Sequence, residues 1–81
     1  MSLELQRIRD LCERFVKKEY GLEEFQSRLE TTIFPEDFKN KKNEILNELE
    51  EIRFTKLESN FYQYGLEVVH KIFDVLQLQK Y

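Results

Sequence analysis

With one histidine and one cysteine among 81 residues, this chain has few side chains able to perform covalent chemistry. His70 stands three residues after Glu67 and four before Asp74, so a helix would put all three on one surface, a carboxylate beside an imidazole base. Catalysis would also require a nucleophile or acid arranged against that imidazole, and triplets of this kind arise commonly by chance. Glu67 and His70 form one Glu-x-x-His pair, the motif that di-metal carboxylate bundles use in two copies, and the second copy is missing. Cys12 shares helical spacing with Ile8 and Phe15, where a free cysteine behaves as a small hydrophobe rather than a nucleophile. A glycine-rich phosphate loop is absent as well. The expectation is a protein with no catalytic residues, no metal and no cofactor.

What the sequence does offer is carboxylate. Glu44, Glu48, Glu51 and Glu58 recur at offsets of four, seven and fourteen, so a helical stripe would collect them while Ile45, Leu49 and Ile52 point elsewhere. With Glu50, and with Tyr62 supplying area and a hydrogen-bonding tip, they make a surface suited to positive charge. The plainer reading of such a run is an ordinary solvated helix face.

The elements that must carry these residues are helices. Two glycines and one proline are too few for a β-sandwich, which needs a turn every ~8–12 residues. Leu5, Ile8, Leu11, Cys12, Phe15 and Val16 form one apolar stripe, predicting a helix over 4–20 that ends with Gly21 in the left-handed cap position. Leu22, Phe25 and Leu29 predict a second helix over 22–31. Pro35 suits the first position of a third, over 35–54, with Phe38, Ile45, Leu49 and Ile52 on its buried side. Thr55-Lys56-Leu57-Glu58 and Asn60-Phe61-Tyr62-Gln63 each fit a capping box, so the fourth helix begins after either Thr55 or Asn60 and extends to about residue 79. Phe61, Gly65, Val68, Val69, Ile72, Phe73 and Leu76 give that helix the broadest apolar face, and Gly65 within it implies close approach of a neighbour. Short connections favour antiparallel neighbours. The fold class is therefore an all-α, small antiparallel four-helix bundle, one domain over residues 1–81.

Charge and cysteine usage bound the partners. A net charge of −3 lacks the basic footprint of a nucleic-acid binder, and the local run Lys39, Lys41, Lys42 reads as solvated surface. A lone cysteine allows no internal disulfide and fits a reducing cytoplasm. No apolar run approaches the ~18 residues of a membrane span.

Two segments resemble the immunity proteins of colicin D type. The first is Ile8-Arg9-Asp10-Leu11-Cys12-Glu13-Arg14-Phe15-Val16 followed by Glu23-Glu24-Phe25-Gln26-Ser27-Arg28-Leu29, similar to that family's leading helix, short break and second helix. The second is Arg53-Phe54, then Asn60, Tyr62 and Gly65-Leu66-Glu67-Val68-Val69. The resemblance implies a four-helix cytoplasmic protein whose acidic surface covers the basic active site of a tRNA-cleaving toxin. It further implies that Glu48, Glu50, Glu51 and Glu58, around the Arg53-Phe54 pair, meet that toxin. Just before Gly65 the chain departs from the family's acid-rich pattern, with Tyr62, Gln63 and Tyr64 instead. The rival reading is a homo-oligomerising protein, possible as a homodimer, in which Phe61, Tyr62, Tyr64 and Phe73 spread apolar surface beyond one core.

Overall fold

The computed structural model describes residues 3–76, and they form an all-α four-helix bundle. Helix α1 spans Leu3–Val16, α2 Leu22–Thr31, α3 Lys39–Thr55 and α4 Phe61–Val75, with single 3-10 turns at Glu36–Phe38 and Glu58–Asn60. Each helix packs most closely on its successor, and α1 and α2 both also meet α4. Ile8, Cys12 and Phe15 from α1, Leu22, Phe25 and Leu29 from α2, Ile45, Leu49 and Ile52 from α3, and Val68, Val69, Ile72 and Phe73 from α4 are buried together. These fall on the stripes predicted from spacing, although Leu5, Leu11, Val16 and Phe61 are only partly buried, Phe38 is half-buried in the 3-10 turn rather than on α3, and buried Phe34 in the α2–α3 connection belongs to no predicted stripe. The part of the predicted fourth helix at 77–79 lies outside the described residues.

The ends of the elements differ from the sequence expectation at three places, each for a local reason. Helix α1 stops at Val16, earlier than Tyr20, and the left-handed residue is Lys18 (φ 64°) instead of Gly21 (φ −86°). The Lys18 amide donates to the Phe15 carbonyl at 2.9 Å and the Glu19 amide to the Arg14 carbonyl at 3.0 Å, the paired closing bonds of a Schellman motif. A lysine accepts the backbone conformation that usually falls to glycine because those two bonds satisfy carbonyls the helix end would otherwise leave open. Gly21 serves as the extended residue before α2, its carbonyl accepting from the Phe25 amide at 3.0 Å.

The second difference is at Pro35, whose ψ of 151° keeps it outside the third helix. The chain makes a 3-10 turn and becomes α-helical only at Lys39. The third concerns the two proposed capping boxes, neither of which forms. Thr55 is the last residue of α3 and its hydroxyl donates to the Glu51 carbonyl at 2.7 Å, while neither Leu57 nor Asn60 makes a side-chain cap. Extended backbone at Lys56 (φ −112°, ψ 156°) breaks the chain, and α4 proper begins after Asn60.

Gly65 answers the expectation of close approach. A Cβ built there would lie 2.4 Å from Cζ and 2.7 Å from Cε2 of Phe15. That ring cannot swing aside, because it is buried and stacks on Phe25 (4.8 Å between centroids) and against Tyr62 (5.5 Å). Gly65→Ala is therefore expected to destabilise by about 1–3 kcal/mol through overpacking, even though alanine favours helix by about 1 kcal/mol. Phe15→Ala and Ile72→Ala, which empty the same core, are expected to cost ~2–5 kcal/mol each. Urea titrations followed by circular dichroism check all three, and a Gly65→Ala variant as stable as the parent would contradict the packing described.

Candidate functional site

The residues expected to make one acidic stripe are distributed over three local surfaces. Glu44, Glu48 and Glu51 share a side of α3, but the break at Lys56 takes Glu58 out of that helix and into the 3-10 turn before α4. Helical periodicity cannot carry a stripe across extended backbone.

On α3 much of the carboxylate is already matched. Glu48 accepts from Lys71 of α4 at 3.1 Å, a half-exposed bridge between neighbouring helices, and Glu44 meets Lys41 at 3.6 Å. Glu48 and Glu51 lie with Tyr64, Glu67 and Lys71 along a shallow α3–α4 groove of about 240 Å³. The Lys56 ammonium, also at its edge, sits 5.0 Å from the centre of the Tyr64 ring.

At the α3–α4 corner the balance changes. Glu50, Glu51 and Glu58 are exposed and make no ion pair among the described residues. Phe54, one helical turn beyond Glu50 and Glu51, is 77% exposed, and Leu57 next to Glu58 is 72% exposed. Arg53, directly before Phe54 in sequence, turns away to Gln26 (2.8 Å) and Glu23 (3.9 Å) on α2. The exposure of Phe54 was readable in advance, since it falls out of phase with Ile45, Leu49 and Ile52. That of Leu57 was not, because it follows from the chain break.

A third surface holds Glu58 and Tyr62. It is an open groove of about 920 Å³ where the start of α2 and the turn before α4 meet the end of α1, lined among others by Lys18, Tyr20, Glu23, Glu24, Phe61 and Tyr62, with Glu58 at its edge. Tyr62 is half-buried: its hydroxyl donates to the Val16 carbonyl at 2.5 Å, closing the end of α1, and the Lys18 ammonium lies 4.7 Å from the centre of its ring. Tyr20 donates to the Leu11 carbonyl at 2.6 Å. Burial pushes the Tyr20 phenol up to about 12, with the Arg28 guanidinium 5.2 Å from its ring centre opposing that rise.

The His70 side chain is exposed and makes no hydrogen bond or ion pair among the described residues. Among those residues no group of three or more His, Cys, Asp or Glu is placed to hold a metal ion, and no helix is long and apolar enough to cross a membrane. Lys39 pairs with Glu36 at 2.9 Å, and Lys42 donates to the Glu30 and Thr32 carbonyls at 3.0 and 2.8 Å, so the basic run mostly serves local structure. The aromatic surface proposed for self-association is largely internal, with Phe73 buried and Phe61, Tyr62 and Tyr64 packed against the core.

Compared with family models, with characterised proteins and with solved structures, the chain gives no significant match in any of the three. Function must therefore be argued from the surfaces themselves.

Cys12 is wholly buried, and desolvation, aided by the neighbouring Glu13 carboxylate, drives its thiol far above the ordinary range. The thiol stays protonated in the folded protein while the unfolded chain ionises near ~8.5. Its contribution to stability is thus complete below that pH and is lost as the pH rises from there toward the folded value. Stability is expected to fall above pH ~8.5 by up to about 1.4 kcal/mol per pH unit. Urea midpoints measured between pH 7.5 and 10 should show this decline in the parent and much less of it in Cys12→Ala.

Proposed function

We propose that this protein is an immunity-type inhibitor that binds a cationic ribonuclease toxin, a tRNase in the reading its resemblance suggests, and covers the toxin's phosphate-binding active site. The observation that carries this is the α3–α4 corner: Glu50, Glu51 and Glu58 without ion pairs among the described residues, set around exposed Phe54 and Leu57. Apolar anchors inside a charged rim are the anatomy of a protein interface, in which the rim steers encounter and the anchors hold the complex. A nuclease active site is cationic because it binds phosphate. Unmatched carboxylates therefore complement it, and such complementarity raises association rates toward ~10⁸–10⁹ M⁻¹s⁻¹ at low salt.

Glu48 and Glu44 belong to this reading as peripheral contacts, since Lys71 and Lys41 already hold them. The similarity to colicin D type immunity proteins supports the choice of a nuclease over other cationic proteins. Self-association is the second reading, and the same exposed Phe54 and Leu57 favour it. Sedimentation equilibrium separates the two, because a homodimer built on the corner would be lost in Phe54→Ser.

The partner to test is a nuclease toxin found encoded beside this gene, with association followed over a salt series; a gene neighbourhood without one would count against the proposal. Charge reversal at Glu51 and Glu58 together is expected to slow association about tenfold or more at low salt and progressively less as salt rises, with helical content unchanged. Equal rates for the reversed and parent proteins at every salt concentration, or no binding by the parent, would overturn the proposal.

A further inference from the structure

The groove between the end of α1, the start of α2 and the turn before α4 has a composition that selects a particular occupant. Its floor is aromatic, with Tyr20, Phe61 and Tyr62, and Glu23, Glu24 and Glu58 supply its carboxylates. Among the lining residues the one cation is Lys18, while Arg28 reaches Glu24 and the Tyr20 ring, and Arg53 reaches Glu23 at 3.9 Å, from outside it. The groove therefore sets a carboxylate without an ion pair among the described residues, Glu58, and a loosely held one, Glu23, beside π faces, the combination that attracts a guanidinium or ammonium group. Lys18 demonstrates the chemistry in cis: its ammonium is stationed 4.7 Å from the centre of the Tyr62 ring, on a backbone with positive φ. The rings are preorganised, since the Tyr20 and Tyr62 hydroxyls are both anchored to α1 carbonyls.

We infer that this groove is a receptor for basic side chains of a protein partner, with an arginine or lysine of that partner displacing Lys18 from the face of Tyr62 and pairing with Glu58 and Glu23. The inference rests on the proposed function in taking the partner to be cationic. It extends the contact from the α3–α4 corner across Glu58, which belongs to both surfaces. A volume of about 920 Å³ lies toward the upper end of the range for binding clefts of ~300–1,000 Å³, room for more than one side chain. Glu24 is held by Arg28 at 2.6 Å, and Glu23 only loosely by Arg53 at 3.9 Å, which leaves Glu58 and Glu23 as the carboxylates open to an incoming cation.

The test is a titration of the isotope-labelled full chain with a capped hexa-arginine peptide, followed by NMR, with hexaglutamate and spermidine as parallel arms. Saturable shifts concentrated at Lys18, Gly21, Phe61 and Tyr62 are expected, with hexaglutamate silent and spermidine much weaker. Glu58→Gln should weaken the peptide about fivefold. Lys18→Gly, which removes the internal competitor, should tighten binding about threefold, while Lys17→Ala removes the same charge just outside the groove and should change it less than about twofold. Shifts centred on the α3 face, equal effects of the Lys17 and Lys18 variants, or spermidine binding as tightly as the peptide would overturn the inference. The two proposals fail separately. If the nuclease binds through the corner while the peptide ignores the groove, the groove reading alone falls; if the peptide fills the groove and the nuclease does not bind, the inhibitor reading alone falls.

Discussion

The contact on which the rest of this protein depends is the seating of the Phe15 ring where Gly65 has no side chain. It draws the end of α1 against the first half of α4 more closely than any Cβ would permit, and the same ring stacks on Phe25 of α2. Three of the four helices thus meet on one aromatic side chain. In a domain this small, where a core supplies only ~3–5 kcal/mol, the loss of one such contact is a large fraction of the total. The geometry of the surface follows from it as well. With α4 held against α1, Tyr62 can reach the Val16 carbonyl, and its ring becomes both the flank of Phe15 and the floor of the groove above.

The acidic character of the chain is organised by where helices stop. Along α3, carboxylates next to lysines are matched in place, Glu44 by Lys41 and Glu48 across to Lys71, and such half-exposed pairs contribute little to stability while removing local charge. The extended residue Lys56 ends that regime. Beyond it Glu58 stands apart from the stripe, and Leu57 is left with no helical face to bury it. The interface-like corner is thus a consequence of chain direction, since a continued α3 would have turned Leu57 toward a different neighbour.

Local backbone bonding accounts for the placement of the cations around the groove. The Schellman closure at Lys18 and Glu19 sends the chain back toward α2 and stations the Lys18 side chain over Tyr62. Arg53 and Lys42 are occupied in tying α3 to α2, through Gln26 and through the carbonyls at the end of α2 respectively. With these cations committed elsewhere, Glu50, Glu51 and Glu58 keep carboxylates without ion pairs among the described residues.

Spacing alone determined the all-α class, the four helices, the limits of α2 and most of the core, because burial of a helix face is a periodic demand that leaves a periodic record in sequence; Phe34, buried in the α2–α3 connection, lies outside any such period. Ile45, Leu49 and Ile52, and likewise Ile8, Cys12 and Phe15, are buried as their spacing requires. Gly65 was legible too, as a costly residue needing a neighbour. Helix ends were less so, because the choice between Lys18 and Gly21 for the left-handed position, or between Thr55 and Asn60 for a cap, depends on differences of about 1 kcal/mol that packing overrides. The candidate surfaces were legible only as an inventory of acids. Which carboxylates meet a lysine, and that Glu23 and Glu24 border one groove with Glu58 and Tyr62 although the two pairs stand far apart in the chain, was decided by the tertiary structure. Proximity between distant residues is created when helices pack, and no local periodicity encodes it.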